Sequence, residues 1–402
     1  MTDNRGQTET MEVRNAKTIG VDRIPVERVS IGAAGDYKPC VAQLADGTLL
    51  VSAYRTSPAI HGTPYADYHD WNTYSPDQRK VLETTLLFRS VDGGRTWSPP
   101  RLANIAGKEP YLSVMSDGTL LLTAHLVYNN LMNREGYGYG LLHRSPDGGR
   151  SWYTMRAQPQ NVTPARHAYY DLTTRNVLQL EDGSLFFVAS GTGRDGNTVW
   201  RSKDGGVSWN LLYGAEVEAQ PDGYFYSLFG EGVLWQARSG KIYCIARVDW
   251  GTWEDAPDNL IVDENLHDQS DRLILLATED LGRTWQMVRH FADYGQMYPA
   301  ILRLIDGRLL LTFTQRANDS SLGLRATVGV EHEDGFEFDL QSDLIMIDTK
   351  TPEGMPSGGG FGCTVRLDDG TLVTSYSYRT RSDEFAGAYA EIHSEIARWR
   401  LP

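Results

Sequence analysis

The sequence predicts an all-β protein, a six-bladed β-propeller built from four-stranded antiparallel blades. The composition favours strands and turns over long helices, because the 402 residues include 40 Gly, 17 Pro, 21 Tyr and 10 Trp. A hairpin pattern occurs six times along the chain, and a turn pattern occurs four times. A supersecondary unit that recurs along a chain is typical of a repeat architecture.

The hairpin pattern is an apolar run, a two-residue turn and a second apolar run. Five copies carry Asp-Gly at the turn and the fourth carries Ser-Gly, and Gly supplies the positive φ that a tight hairpin turn needs. The copies span Val41–Arg55, Leu112–Leu126, Asn176–Ser190, Val233–Arg247, Ala300–Arg316 and Thr364–Arg379.

The turn pattern is S/T-x-D-x-G-x-S/T-W. Its Asp can accept backbone N–H groups within the turn, and its Trp can pack under the outer strands. A metal site needs several converging ligands, whereas each copy offers a single carboxylate, so a structural role is favoured. The copies are Ser90–Trp97, Ser145–Trp152, Ser202–Trp209 and Thr278–Trp285, with a degenerate fifth at Glu331–Phe338.

A hairpin, a third strand, this turn and a fourth strand make one propeller blade, so six hairpins predict six blades. We expect Arg23–Ile31 and Ala390–Leu401 to complete one blade together, which closes the ring and removes its free edges. Residues 21–402 are then a single domain, and residues 1–20 are expected to form a flexible leader.

Charge and composition exclude some partners. The formal net charge of −14 argues against nucleic acid, although a small anionic ligand responds to the local charge of its pocket. The chain shows no apolar run of membrane-spanning length and no signal-peptide core, so we predict no membrane partner and a cytoplasmic location. The three cysteines, Cys40, Cys244 and Cys363, are expected to be buried free thiols.

No metal or organic cofactor is predicted. The histidines at 61, 69, 125 and 167 show no close ligand spacing, so each is expected to line a loop or a site. The sequence carries no prediction of oligomeric state.

The turn pattern resembles the Asp box, or BNR repeat, and with six blades the chain resembles the sialidase (neuraminidase) superfamily over nearly its full length. The resemblance implies an exo-glycosidase that releases a terminal acidic sugar, a sialic acid or a related ulosonic or uronic acid. Asp boxes also occur in propellers with other activities, so the function has to be read from the site.

The site is expected at the mouth of the central channel, which the first strand of each blade lines. One residue per blade stands eight positions before the hairpin-turn Asp or Ser, and we call these six the mouth residues: Lys38, Glu109, Thr174, Glu231, Tyr298 and Phe361. The second strands end at Arg55, His125, Arg247, Arg316 and Arg379. Arginine binds a carboxylate bidentately, and paired carboxyl groups can cleave a glycosidic bond.

The resemblance implies roles for several of these residues. Glu231 and Arg247 match the family's Glu and a following arginine of its triad, with Arg55 and Arg316 as further carboxylate anchors. Asp67 or Asp70 is the nearest match to the acid. Lys38 stands where the family has Arg, and Phe361 stands where it has the nucleophilic Tyr. Another tyrosine, such as Tyr298, would then have to approach Glu231.

Other residues near the mouth are candidates for sugar binding. His125 and His167 could hydrogen-bond a sugar, and Arg175 is either a substrate anchor or a partner of Asp171. Two alternative functions stay open. One is a glycosidase or lyase that uses Glu109 and Glu231 as a carboxylate pair on another glycan. The other is a glycan-binding propeller without catalysis.

Overall fold

A computed structural model describes residues 7–14, 23–33, 35–55, 84–126, 139–157, 171–191, 197–218, 229–248, 272–290, 295–315, 323–339, 344–346, 363–381 and 390–401. Every regular element in these residues is a β-strand, and none of them belongs to a helix that could span a membrane. The all-β prediction is therefore confirmed for this part of the chain.

The strands follow one another in short antiparallel steps. In chain order they are β1 Gln7–Arg14, β2 Arg23–Ile31, β3 Asp36–Gln43, β4 Leu49–Arg55, β5 Thr84–Ser90, β6 Arg101–Ala106, β7 Lys108–Val114, β8 Leu120–Leu126, β9 Tyr139–Ser145, β10 Tyr153–Arg156, β11 Asp171–Thr173, β12 Leu178–Gln179, β13 Leu185–Gly191, β14 Asn197–Ser202, β15 Asn210–Glu218, β16 Val233–Gln236, β17 Ile242–Val248, β18 Arg272–Thr278, β19 Thr284–His290, β20 Gln296–Arg303, β21 Leu309–Gln315, β22 Gly323–His332, β23 Gly335–Glu337, β24 Leu344–Met346, β25 Thr364–Arg366, β26 Leu372–Arg381 and β27 Ala390–Trp399.

All six predicted hairpins form. Their strands pair antiparallel as β3 with β4, β7 with β8, β12 with β13, β16 with β17, β20 with β21 and β25 with β26. The first strands of successive hairpins lie against one another as β3 with β7, β12 with β16, β16 with β20, β20 with β25 and β25 with β3. The second and third hairpins meet where β11, which pairs with β13, lies against β8. The hairpins therefore follow one another around a ring, in a propeller-like arrangement.

The described residues form four hydrogen-bonded sheets, so the prediction of six separate four-stranded blades is wrong in its count. The sheets β3–β6 and β7–β10 have the expected four strands. A nine-stranded sheet arises because the outer strands β15 and β19 pair in parallel over Glu216–Glu218 and Thr284–Gln286. A ten-stranded sheet arises because β1 pairs with both β2 and β24.

The chain termini meet in one sheet, as predicted. β2 pairs with β27 from Glu27 opposite Arg398 to Ile31 opposite Ser394. Behind this pairing, Arg28 donates to the hydroxyl of Tyr376, and that hydroxyl donates to the buried carboxylate of Glu395. β1 lies within the predicted leader, and the domain boundary at residue 20 stays a prediction.

The four predicted turns share two hydrogen bonds to the Asp: the first Ser or Thr hydroxyl donates to its Oδ1, and so does the backbone N–H four residues after it. In the first copy, Asp92 Oδ1 accepts the backbone N–H groups of Arg95 and Thr96, each at 3.0 Å. The Thr96 hydroxyl donates to Asp92 Oδ2 at 2.6 Å, and the Trp97 indole donates to the Gly94 carbonyl at 3.1 Å. These bonds lie within eight residues, which supports the structural role predicted for the turn.

The apolar core lies between neighbouring sheets and contains the three cysteines, which are buried free thiols as predicted. The fourth turn reaches furthest into it. Trp285 is fully buried, and its ring centroid lies 5.1 Å from that of Phe229. Phe229 stands two residues before Glu231, so this contact supports the segment that carries one of the mouth residues.

Candidate functional site

Four of the six mouth residues share an unusual backbone conformation. Their φ angles lie in the left-handed region, which residues with a Cβ seldom adopt, at a cost of about 1–3 kcal/mol each. They are Lys38, Glu109, Glu231 and Tyr298, with φ of 51°, 58°, 63° and 54°. Non-glycine residues held in this way concentrate at functional sites, so the backbone itself marks the channel mouth.

The residue that follows each of these four in the sequence explains why the backbone is strained there. Proline follows three of the four, at 39, 110 and 299, and glycine follows Glu231. Proline has no N–H to give to a strand ladder and is confined to bulges and edges within sheets. The pairing of β3, β7 and β20 with their partners shifts register at these points. Each bulge turns one polar side chain towards the mouth. A residue–proline pair recurs at a fixed distance from the hairpin turn, and this sequence signal could have predicted the bulges.

Lys38 joins the first two hairpins at the mouth. Its ammonium group forms a short ion pair with Glu109 Oε1 and donates to the Tyr298 hydroxyl at 3.0 Å. It lies 3.9 Å from Glu231 Oε1. Lys38, Glu109 and Tyr298 are all buried. One cation therefore connects mouth residues from four hairpins.

Arg247 connects the fourth hairpin to the fifth. Its Nη1 donates to Glu231 Oε2 at 2.7 Å and to the Tyr298 hydroxyl at 3.1 Å. The Tyr298 oxygen thus accepts hydrogen bonds from two cations. A charge-assisted hydrogen bond is roughly twice as strong as a neutral one, so this oxygen lies in a strongly positive field.

Arg175, which follows Thr174 at the third hairpin, contacts both carboxylates. Its Nη2 lies 3.2 Å from Glu231 Oε1 and 3.6 Å from Glu109 Oε2, and its Nε donates to the Glu231 carbonyl at 3.2 Å. Among the described side chains, Arg175 contacts the two mouth carboxylates. The side chain of Asp171, the partner predicted as an alternative to substrate, lies outside the described residues.

The Tyr298 ring is surrounded by the same three cations. Arg175 Cζ lies 4.5 Å from its centroid, Lys38 Nζ 4.7 Å and Arg247 Cζ 5.5 Å. All three distances fall within the range of cation–π attraction. The ring and the hydroxyl of Tyr298 are therefore both held by positive charge.

The described side chains of this cluster include more cations than carboxylates. Lys38, Arg175 and Arg247 contact two described carboxylates, Glu109 and Glu231. Cations grouped in this way attract an anionic ligand.

Glu109 is ionised throughout the neutral range. Burial by itself raises the pKa of Glu109, but the adjacent Lys38 holds that pKa well below its usual range. His125, on β8 behind Glu109, is neutral there, because burial lowers its pKa to about 3. Neither group can donate a proton to a leaving oxygen at neutral pH.

The structure brings together six of the residues selected from the sequence, in one charged cluster: Lys38, Glu109, Arg175, Glu231, Arg247 and Tyr298. We call them the mouth cluster. Arg55 ends β4, and its side chain lies outside the described residues. Asp67, Asp70, His167, Arg316 and Phe361 lie outside the described residues as well. In the described part of the chain, no three His, Cys, Asp or Glu side chains are grouped as a metal site.

In sequence, the chain is only weakly similar to known proteins. The chain matches no known protein family profile. A segment covering 30% of it is 28% identical to the sialidase of Vibrio cholerae serotype O1, and that segment covers 18% of the sialidase. The chain therefore spans only a small part of the curated relatives it matches.

Solved structures match over most of the chain. A Dyadobacter fermentans protein of unknown function has a TM-score of 0.62 at 19% identity, covering 93% of this chain and 99% of that protein. The intramolecular trans-sialidase of Ruminococcus gnavus has a TM-score of 0.58 at 13% identity, covering 91% and 94%. The Trypanosoma rangeli sialidase, solved with sialic acid, has a TM-score of 0.55 at 13% identity, covering 99% and 58%. The chain therefore has a sialidase-like fold.

Proposed function

We propose that this protein is a glycoside hydrolase of the sialidase type, which removes a terminal acidic sugar from a glycan. The observation that carries the proposal is the mouth cluster, in which two carboxylates and a phenol are held under three cations. The three cations among its described side chains suit a sugar acid, since they would attract the carboxylate of such a substrate.

Tyr298 is the nucleophile in this proposal. A phenol becomes a better nucleophile when neighbouring groups stabilise negative charge on its oxygen, and Lys38 and Arg247 both donate to that oxygen. The Tyr298 oxygen attacks the anomeric carbon, and the bond from that carbon to the leaving oxygen breaks. Water then cleaves the glycosyl–tyrosine bond, so the configuration at the anomeric carbon is retained.

Glu231 is the partner carboxylate. In this proposal Glu231 accepts the phenol proton and stabilises positive charge on the sugar ring. The assignment is supported by Arg247 Nη1, which binds both Glu231 and the Tyr298 oxygen. Asp67 or Asp70 is proposed as the acid that protonates the leaving oxygen. Arg55, Arg316 and Lys38 remain proposed anchors for the substrate carboxylate.

The Glu109–Glu231 alternative is weaker. Such a pair needs one protonated carboxyl group to act as the acid, whereas Lys38 keeps the pKa of Glu109 low. Glu109 is better placed to hold Lys38 against the Tyr298 hydroxyl. The cleavage experiment described next decides whether the protein hydrolyses a glycan or only binds it.

The test is cleavage of a panel of methylumbelliferyl sialosides, uronides and arabinosides by the full chain. We expect an acidic sugar to be released, and Glu231→Gln to abolish that release because the substitution removes the carboxylate charge. Phe361→Ala should mainly weaken binding. Glu279→Gln is the matched control, because Glu279 is exposed and its ion-pair partner is Lys241, outside the mouth cluster.

Two outcomes would contradict the proposal. Undiminished cleavage by Glu231→Gln would remove Glu231 from the chemistry. Binding of a sugar acid from the panel with no cleavage of any substrate would identify a glycan-binding protein instead.

A further inference from the structure

Arg175 is fixed on all sides by the protein. Its backbone N–H donates to the Gly232 carbonyl at 2.8 Å, and its own carbonyl accepts a short hydrogen bond from the Thr123 hydroxyl. The second, third and fourth hairpins are thereby joined at this residue. The side chain is buried, with 4% of its surface exposed, so it has little area to offer a ligand.

The guanidinium group of Arg175 lies among the three groups that the proposed reaction depends on. It contacts Glu231 at 3.2 Å and Glu109 at 3.6 Å, and its Cζ lies 4.5 Å from the centre of the Tyr298 ring. A guanidinium is a planar fork that can bond two acceptors while stacking on an aromatic face, which an ammonium group cannot do. Here Nε donates to the Glu231 carbonyl, Nη2 lies at ion-pair distance from both carboxylates, and the planar face stacks on Tyr298.

Two carboxylates that approach the same nitrogen, here the buried Glu109 and the partly buried Glu231, repel each other unless cations neutralise them. Without such a cation, one member of a close carboxyl pair takes up a proton at a higher pH. Lys38 pairs with Glu109 Oε1, and Arg247 pairs with Glu231 Oε2 at 2.7 Å. Arg175 Nη2 lies beside the other oxygen of each carboxylate, 3.2 Å from Glu231 Oε1 and 3.6 Å from Glu109 Oε2. Lys38 is further from Glu231 Oε1, at 3.9 Å.

We propose that Arg175 is a positioning residue, which neutralises Glu109 and Glu231 together and fixes the ring of Tyr298, and that it does not bind the substrate carboxylate. This assignment deepens the proposed function and rests on it for the part concerning catalysis. The neutralisation of Glu109 and Glu231 is a property of the protein without substrate, so that part does not depend on the proposed function. Among the residues that the structure describes, the other titratable groups that face this cluster are Lys38, Lys108, Tyr111, His125, Arg247, Tyr298, Cys40 and Cys363.

The first measurement needs no substrate. The infrared carbonyl stretch of a protonated carboxyl group is followed during a pH titration of the wild-type protein, Arg175→Ala and Arg175→Ala/Glu109→Gln. We expect Arg175→Ala to gain a protonated carboxyl signal at a pH about 1–3 units higher than in the wild type. The double variant should lack that signal, because it removes one negative charge together with the positive one.

The second measurement is the pH dependence of cleavage. In Arg175→Ala the acidic limb of kcat should move to higher pH in step with the infrared titration, while KM for the acidic sugar changes less than kcat. Arg175→Lys should restore the charge but only part of kcat, since an ammonium group cannot reproduce the stacked fork. Arg303→Ala is the matched control, because Arg303 pairs with the buried carboxylate of Glu331 and stacks on Trp235 at 4.6 Å, outside the mouth cluster.

The outcomes separate the alternatives. A large rise in KM with an unmoved acidic limb and an unmoved infrared titration would make Arg175 a substrate anchor. A lower melting temperature without any change in pH dependence would leave it a purely structural residue. If no substrate is cleaved by the wild type, the proposed function fails, and the infrared titration still decides the electrostatic role. If Arg175→Ala does not fold, Arg175→Gln and the charge-balanced double variant carry the same comparison.

Discussion

The mouth cluster and the outer turns both depend on left-handed backbone, but they obtain it differently. In the first three turns that conformation falls on glycine, as at Gly93 and Gly94, where it has little cost. At the mouth it falls on Lys38, Glu109 and Tyr298, among others, where a Cβ makes it unfavourable. The molecule therefore accepts local strain where polar side chains must converge and avoids it where only the fold is at stake.

The two regions also differ in where their hydrogen bonds go. Asp92 finds its partners within its own turn, whereas Glu231 finds Arg175 between β11 and β12 and Arg247 on β17. A turn that satisfies itself can be copied along a chain without regard to its neighbours. The mouth cluster exists only when the hairpins have assembled, so substitutions there should affect activity more than folding.

The largest expected effect is on turnover. Tyr298→Phe keeps the ring and its cation contacts but removes the oxygen that Lys38 and Arg247 bind, so kcat should fall by about 10⁴-fold or more. The melting temperature should change little by comparison. Kinetics on the cleaved substrate and thermal unfolding of the same variant check both halves of this expectation.

Tyr376→Phe is its matched control. Tyr376 is also buried and also accepts a hydrogen bond from an arginine, but it lies where the chain termini meet. We expect that variant to lose stability and keep its turnover. A Tyr298→Phe enzyme whose kcat stays within ten-fold of the wild type would show that the Tyr298 oxygen is not the nucleophile.

The next effect in size concerns the fourth turn. Trp285→Ala removes a fully buried indole that donates to the Gly282 carbonyl at 2.9 Å and packs on Phe229, so unfolding should become easier by about 3–5 kcal/mol. Trp97→Ala in the first turn should cost less, because Trp97 is only partly buried. Denaturant unfolding of the two variants measures the difference. Equal losses would mean that depth in the core does not distinguish the turns.

Sequence patterns of short range were sufficient for much of the fold. The hairpins and the turn bonds follow from residues within about fifteen positions of one another, and the β2–β27 pairing follows from the need to close a ring. The sheet count did not follow, because the parallel pairing of β15 with β19 depends on how two outer strands meet in space. No local pattern in either strand encodes that contact.

The candidate site, like the fold, could be predicted from the sequence only in part. A fixed offset from the hairpin turn predicts four residues of the mouth cluster: Lys38, Glu109, Glu231 and Tyr298. The offset gave no distances, so neither the Lys38–Glu109 ion pair nor the double contact of Arg175 could be predicted. The proline after three of these residues was the overlooked signal for their backbone.

The smallest expected effect concerns the fourth turn, where a residue other than glycine adopts the left-handed conformation. In the fourth turn, Leu281 adopts φ of 59° where the other three turns have Gly93, Gly148 and Gly205 in left-handed conformations. Leu281 is 38% exposed, so little apolar burial would be lost with its side chain. Leu281→Gly should therefore raise stability by about 1 kcal/mol, since the relieved backbone strain exceeds the extra flexibility of the unfolded chain. The converse change, Gly205→Leu, should lower stability by a similar amount. If Leu281→Gly is destabilising in denaturant unfolding, packing of the leucine outweighs its strain, and the turns tolerate unfavourable backbone as the mouth does.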